Sequence, residues 1–215
     1  MKKTDEYEAL EKAALELGCD EAKIIPADQI VVEDRVRLRC MIGCPTYGKN
    51  LRCPPYTPSV DSFRKILNDY SVAMVIRIKP PEISEILHEK YKPKNGGEDR
   101  LWDRYKDPDT AASATWSDFS EIYKSMLMVL LEVERAAFKQ GYPLATVFFG
   151  GRCMLCEECN VEEGVCLNPV MSRFASEAMG INLSKTAENA GIQLQFKGED
   201  DPSQIITMMA ILLID

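Results

Sequence analysis

Histidine is nearly missing from this chain: His88 is the only one among 215 residues, and it falls on an expected helix, Pro81 to Lys90, where it reads as a surface side chain. The motifs that announce nucleotide or acyl chemistry are missing too. There is no P-loop, no G-x-G-x-x-G fingerprint and no G-x-S-x-G elbow. Cys40-x3-Cys44 matches only the first gap of the radical-SAM C-x3-C-x2-C pattern. The opening residues, Met1 to Glu6, carry no apolar h-region, so no secretory signal is expected. The longest apolar run, Ile205 to Ile214, is about half of what spans a bilayer. Positive charge is in deficit, with 26 Lys and Arg against 34 Asp and Glu and a net charge of −8. That balance argues against nucleic acid as a partner, because polyanion binding needs a basic face. A cytoplasmic chain that neither spans a membrane nor binds nucleic acid is the expectation. In that compartment thiols stay reduced, and clustered cysteines point to metal rather than disulfides.

Cysteine, by contrast, is plentiful and clustered. Of eight cysteines, three form one set (Cys40, Cys44, Cys53) and four form another (Cys153, Cys156, Cys159, Cys166). The second set reads C-x2-C-x2-C-x6-C, with Pro169 beyond. Tetrahedral zinc usually takes its thiolates from two separated C-x2-C pairs, and here two such pairs would overlap on Cys156. In a cubane each thiolate takes its own iron, so closely spaced cysteines reach different corners, as in bacterial ferredoxins. A 4Fe–4S cluster is therefore the leading expectation, with zinc as the alternative. The x6 gap and the displaced proline depart from the ferredoxin pattern.

The first set offers only three thiolates. Either one iron is left open, as in catalytic zinc sites, or a fourth ligand comes from elsewhere: Cys19, an Asp or Glu, or a cysteine shared with the other set. Arg35, Arg37, Arg39, Lys49 and Arg52 reverse the charge locally. Arg39, Lys49 and Arg52 are the candidates for contact with a small anionic substrate in a pocket beside Cys40, Cys44 and Cys53.

Apolar spacing predicts helices over Thr4 to Leu17, from Ser59 to about Tyr70, over Ser117 to Gln140, from Pro169 to Met179 and over Ser184 to Asn189. The long helix is expected to face the core with Ile122, Met126, Val129, Leu130, Val133, Ala137 and Phe138. Strands are predicted within Lys23 to Val32, over Arg35 to Cys40, Ser71 to Lys79, Leu144 to Phe149, Ile192 to Phe196 and Ile205 to Ile214. Residues 91–116 turn polar and read as a surface insertion or lid. No internal repeat is visible. The expected fold is α/β (mixed α+β): one domain over 1–215, with a mixed β-sheet flanked by helices and two cysteine-rich loops at strand ends.

The run Gly43-Cys44-Pro45-Thr46-Tyr47-Gly48-Lys49-Asn50-Leu51-Arg52-Cys53-Pro54-Pro55-Tyr56, with Cys153-Met154-Leu155-Cys156-Glu157-Glu158-Cys159 and Cys166, resembles an uncharacterised family described as predicted metal-binding proteins, common in methanogens and other anaerobes. The likeness extends to Glu132, Glu134 and the segment Glu177 to Ile181. It implies metal-ligand roles for Cys40, Cys44, Cys53, Cys153, Cys156, Cys159 and Cys166, and leaves Cys19 outside. After the last cysteine this chain has Leu167-Asn168-Pro169 where the family usually has Arg-His-Pro, and Arg173-Phe174 where it often has Arg-Pro.

Three functions compete. The first is electron transfer to a redox partner protein, or reductive activation of one. The second is an enzyme that binds substrate at an open iron. The third is a structural metal module for protein binding.

Overall fold

The computed structural model describes residues 2–79, 113–193 and 208–215. The expected helix at Pro81 to Lys90, with His88, lies outside them, as do most of the polar 91–116 stretch and the expected strand beyond Gln193. Among the described residues, five helices surround a four-stranded sheet: α1 (Lys2–Glu16), α2 (Asp34–Gly43), α3 (Val60–Leu67), α4 (Ser113–Lys139) and α5 (Leu183–Asn189), with β1 (Glu21–Pro26), β2 (Val72–Ile78), β3 (Thr146–Phe149) and β4 (Met208–Leu213).

The sheet order is β1-β2-β4-β3, and every strand pair is antiparallel. The α/β class is as expected, but the sheet itself is not mixed. Its only parallel contact among the described residues is the isolated bridge between Phe149 and Ala175. Central strands β2 and β4 are apolar along nearly their whole length because both of their faces are covered. On one face Met74, Ile76, Ala210 and Leu212 meet α1 and α4. On the other, Val75, Ile211 and Leu213 meet α3, α5 and the 3-10 turn Glu177–Met179.

The two edge strands are blunted in the same manner. Glu11 of α1 accepts from Ile24 N at 2.5 Å, and Glu134 of α4 accepts from Val147 N at 2.7 Å. Each carboxylate occupies a main-chain donor that a second sheet could otherwise recruit.

Three local expectations change. Arg35 to Cys40 is helical, not a strand, although Val36, Leu38 and Cys40 alternate with arginines. The segment after Pro169 holds only the short 3-10 turn Glu177–Met179, where a long helix was expected. The long helix begins at Ser113, inside the expected insertion, and Phe138 is 62% exposed while Tyr123 and Leu127 are buried in its place. The buried stripe runs Ile122, Met126, Leu130, Val133, Ala137, and Phe138 stands a full helical step (about 100°) away from it.

Candidate metal centre

β3 leads straight into the four-cysteine segment. The turn at Gly150-Gly151 needs glycine: a Cβ on Gly150 would sit 2.9 Å from the Met209 carbonyl, and Gly151 has φ +80°. From there the chain runs without regular structure through Cys153, Cys156, Cys159 and Cys166. All four side chains line one concavity of about 320 Å³, counted out to open solvent, with Asn50, Arg52, Asn168 and Ser172 among its walls.

Three of these four sulfurs meet a protein hydrogen-bond partner, and the fourth lies beside a tyrosine hydroxyl. The Tyr123 hydroxyl is close enough to Cys153 to ease its thiol. Asn168 Nδ2 donates to Cys156 Sγ at 3.0 Å, and Leu51 N to Cys159 Sγ at 3.4 Å. The Ser172 hydroxyl lies 3.3 Å from Cys166 Sγ and also accepts from Arg52 Nε at 2.8 Å. Burial alone would push the Cys166 thiol up, but Ser172, the Asn168 main chain and Arg52 outweigh it and hold the thiol below its ordinary value. Cys153 goes the other way. Burial raises it, against partial relief from the Leu155 N–H and Tyr123.

The three-cysteine set is built differently. Cys40 and Cys44 stand four residues apart on and just past α2, hence on one side of it. Cys40 is half-buried and Cys44 exposed, while Cys53 is buried among the residues under the sheet. The expected strand over Arg35 to Cys40 is thus replaced by a helix end open to solvent. The Thr46 hydroxyl sits 3.1 Å from Cys44 Sγ and is near enough to Cys53 to ease its thiol in part. Burial, with Cys44 and Cys40 close by, pushes Cys53 up to about 12. Burial likewise raises Cys40, and the charges of Cys44 and Glu177 add to it.

The two sets meet. Asn50, between Cys44 and Cys53, donates to the Cys153 carbonyl at 3.0 Å, and Leu51 reaches Cys159. Cys153 acts on the Cys53 thiol, and Cys53 on the buried Tyr123 hydroxyl. Of the proposed anion contacts, Arg52 turns to the second set, where it bonds Ser172 and lies 5.1 Å over the Phe174 ring. The concavity it lines is therefore that of the four cysteines, while Arg39 and Lys49 are exposed. Cys19 joins neither set. It is buried with α1 against the opposite face of the sheet, and burial raises it to about 11.

A family model described as predicted metal-binding protein (DUF2284) matches residues 23–214. The chain belongs to this family. Neither the curated proteins nor the solved structures contain a match. Family membership supports metal binding by a cysteine-rich chain and leaves the choice of metal to chemistry.

Among the described residues, no three His, Cys, Asp or Glu side chains converge closely enough to hold one metal ion. A tetrahedral zinc at ~2.3 Å from each sulfur would need its thiolates within roughly 4 Å of one another. A cluster asks less, because each thiolate binds its own iron. Sequence reasoning missed Tyr123, Thr46, Asn168 and Ser172 beside the sulfurs, and Asn50 as the link to the Cys153 main chain. Tyr123 reads as one more core aromatic on α4, and the others as ordinary loop residues.

Proposed function

We propose that this chain is an iron–sulfur protein that carries a 4Fe–4S cluster on Cys153, Cys156, Cys159 and Cys166 and serves one-electron redox chemistry. The supporting observation is that four thiols line one concavity and three of them have a hydrogen-bond partner in it, with the Tyr123 hydroxyl beside the fourth. Donors aimed at sulfur stabilise the negative charge that a thiolate-ligated cluster carries, and they set its potential. Zinc would gain from the same donors, but it usually takes two separated C-x2-C pairs, and here two such pairs would overlap on Cys156. Cys40, Cys44 and Cys53 are assigned to a second iron centre next to the first. When bound, the clusters supply the electron-accepting orbitals; the protein supplies ligands, donors and a partly dry wall.

A redox role rather than a purely structural one is favoured by the surroundings. Leu38, Met41 and Ile42 on α2 and Val165, Leu167 and Val170 around Cys166 are exposed apolar side chains bordering the cysteines. Such a rim suits docking of a redox partner protein. Reduced thiols of this kind call for a reducing compartment, as in the cytoplasm.

Anaerobically purified protein, followed by EPR and visible absorption before and after dithionite, tests the reading. A broad thiolate-to-iron absorption that bleaches on reduction, with a paramagnetic reduced state, is expected. A colourless protein with no signal in either state contradicts it.

A further inference from the structure

The two cysteine sets carry opposite charge. Residues 35–60, which hold Cys40, Cys44 and Cys53, contain Arg35, Arg37, Arg39, Lys49 and Arg52 and no Asp or Glu. Residues 153–172, which hold the other four cysteines, contain Glu157, Glu158, Glu162 and Glu163 and no Lys or Arg. Part of the positive charge is engaged within the chain: Arg35 bonds Glu33, Arg37 donates to the Pro58 carbonyl, and Arg52 donates to Ser172. Arg39 and Lys49 are exposed and enter no ion pair among the described residues, and the same holds for the four glutamates.

The two charged segments border one concavity. Leu51 N donates to Cys159 Sγ at 3.4 Å and Asn50 Nδ2 to the Cys153 carbonyl at 3.0 Å, while Arg52 shares the wall with Leu167 and Asn168. Each segment also turns apolar side chains to solvent: Leu38, Met41 and Ile42 from α2, and Val165, Leu167 and Val170 from the acidic one. Ile42 and Val170 are 82% and 83% exposed, so they contribute next to nothing to the core of their own chain. No residue of α2 is buried. Exposed apolar side chains clustered within a charged rim have the composition of a protein interface.

The signs select what covers it. A uniformly acidic protein drawn to Arg39 and Lys49 would be repelled by the glutamates of the neighbouring segment, and a uniformly basic one by the arginines. A second copy of this chain carries both signs. A two-fold axis sets the basic segment of each copy on the acidic segment of the other, so the attraction is made twice and the assembly closes. We infer that α2 and residues 157–170 form the interface of a two-fold homodimer. This goes beyond the iron–sulfur reading and does not depend on it. A redox partner reaches the same rim only by displacing the second copy.

Sedimentation velocity of the full chain, purified anaerobically, tests the inference. A dimer is expected at about 100 µM, with a dissociation constant that rises at least about tenfold between roughly 50 mM and 500 mM salt. R39E/K49E and E162K/E163K should each be monomeric where wild type is dimeric. Mixed in equal amounts the two variants should dimerise again, because the reversed face of each then meets an opposite charge on the other; a variant that had merely unfolded would not be rescued. Wild type that stays monomeric at about 100 µM overturns the inference and leaves the face to a different protein. Variants as dimeric as wild type, or still monomeric after mixing, overturn it as well.

Discussion

A hydroxyl bonded to a cysteine sulfur alters how readily that sulfur shares negative charge. Tyr123 is placed to do this beside Cys153, on the buried flank of α4, 4% exposed, with its ring 5.0 Å from that of Phe149. Burial, with Cys153 next, pushes its hydroxyl far above the ordinary tyrosine value, so it remains a donor at any working pH. Y123F removes the donor and keeps the packing. A hydrogen bond of about 1 kcal/mol corresponds to roughly 40 mV for a one-electron couple. The midpoint potential of the four-cysteine centre should fall by about that amount in Y123F, read by a potentiometric EPR titration; an unchanged potential would deny Tyr123 its tuning role. Arg52 is a second instance. Its place in a basic stretch suggests an anion contact, yet its guanidinium serves Ser172 and through it Cys166.

Among the elements, α2 departs most from its sequence. Alternating Arg and apolar residues over Arg35 to Cys40 satisfy a strand pattern, but no neighbouring strand is there to pair with it, and no residue of the resulting helix is buried. Ten residues make only a marginal helix in water, so α2 depends on its anchors. Glu33 is the main one, bonding Arg35, Asn182 and Lys185. Those three hold its carboxyl down from 4.5 to about 2. A depressed carboxyl contributes stability that is complete above its unfolded value and is lost as pH falls through the folded one. Hydrogen exchange in α2 should therefore quicken between about pH 4.5 and 2, and E33Q should remove that pH dependence. Exchange that is flat with pH in the wild type would mean that α2 is held by something else.

Strands β2 and β4 and helices α1, α3, α4 and α5 were legible in the sequence because their apolar residues carry a period or a long enough run. The Ser59 cap of α3, accepting from Ser62 N at 3.1 Å, was legible as well. The residues after Pro169 were not. Their apolar positions, Ala175, Ala178, Met179 and Ile181, pack under the sheet from an irregular path, and burial without periodicity mimics a helix. Arg173 helps to hold that path, since its guanidinium pairs with Glu134 of α4, which also caps the edge of β3.

At the scale of the molecule, two cysteine sets separated by about a hundred residues in the chain are joined across the end of one antiparallel sheet. The composition of each set suggests metal; it could not show that Asn50 and Leu51 of one loop bond Cys153 and Cys159 of the other. No helix among the described residues is long and apolar enough to cross a membrane. The solvent-exposed Cys44 stands at the margin of the joined sets.

The measurement that bears most directly on this account is the content of iron, acid-labile sulfide and zinc per chain in anaerobically purified protein. Iron and sulfide in equal amounts, about eight of each with both centres filled and about half that in C53A, is the predicted result. Stoichiometric zinc with neither iron nor sulfide would contradict it.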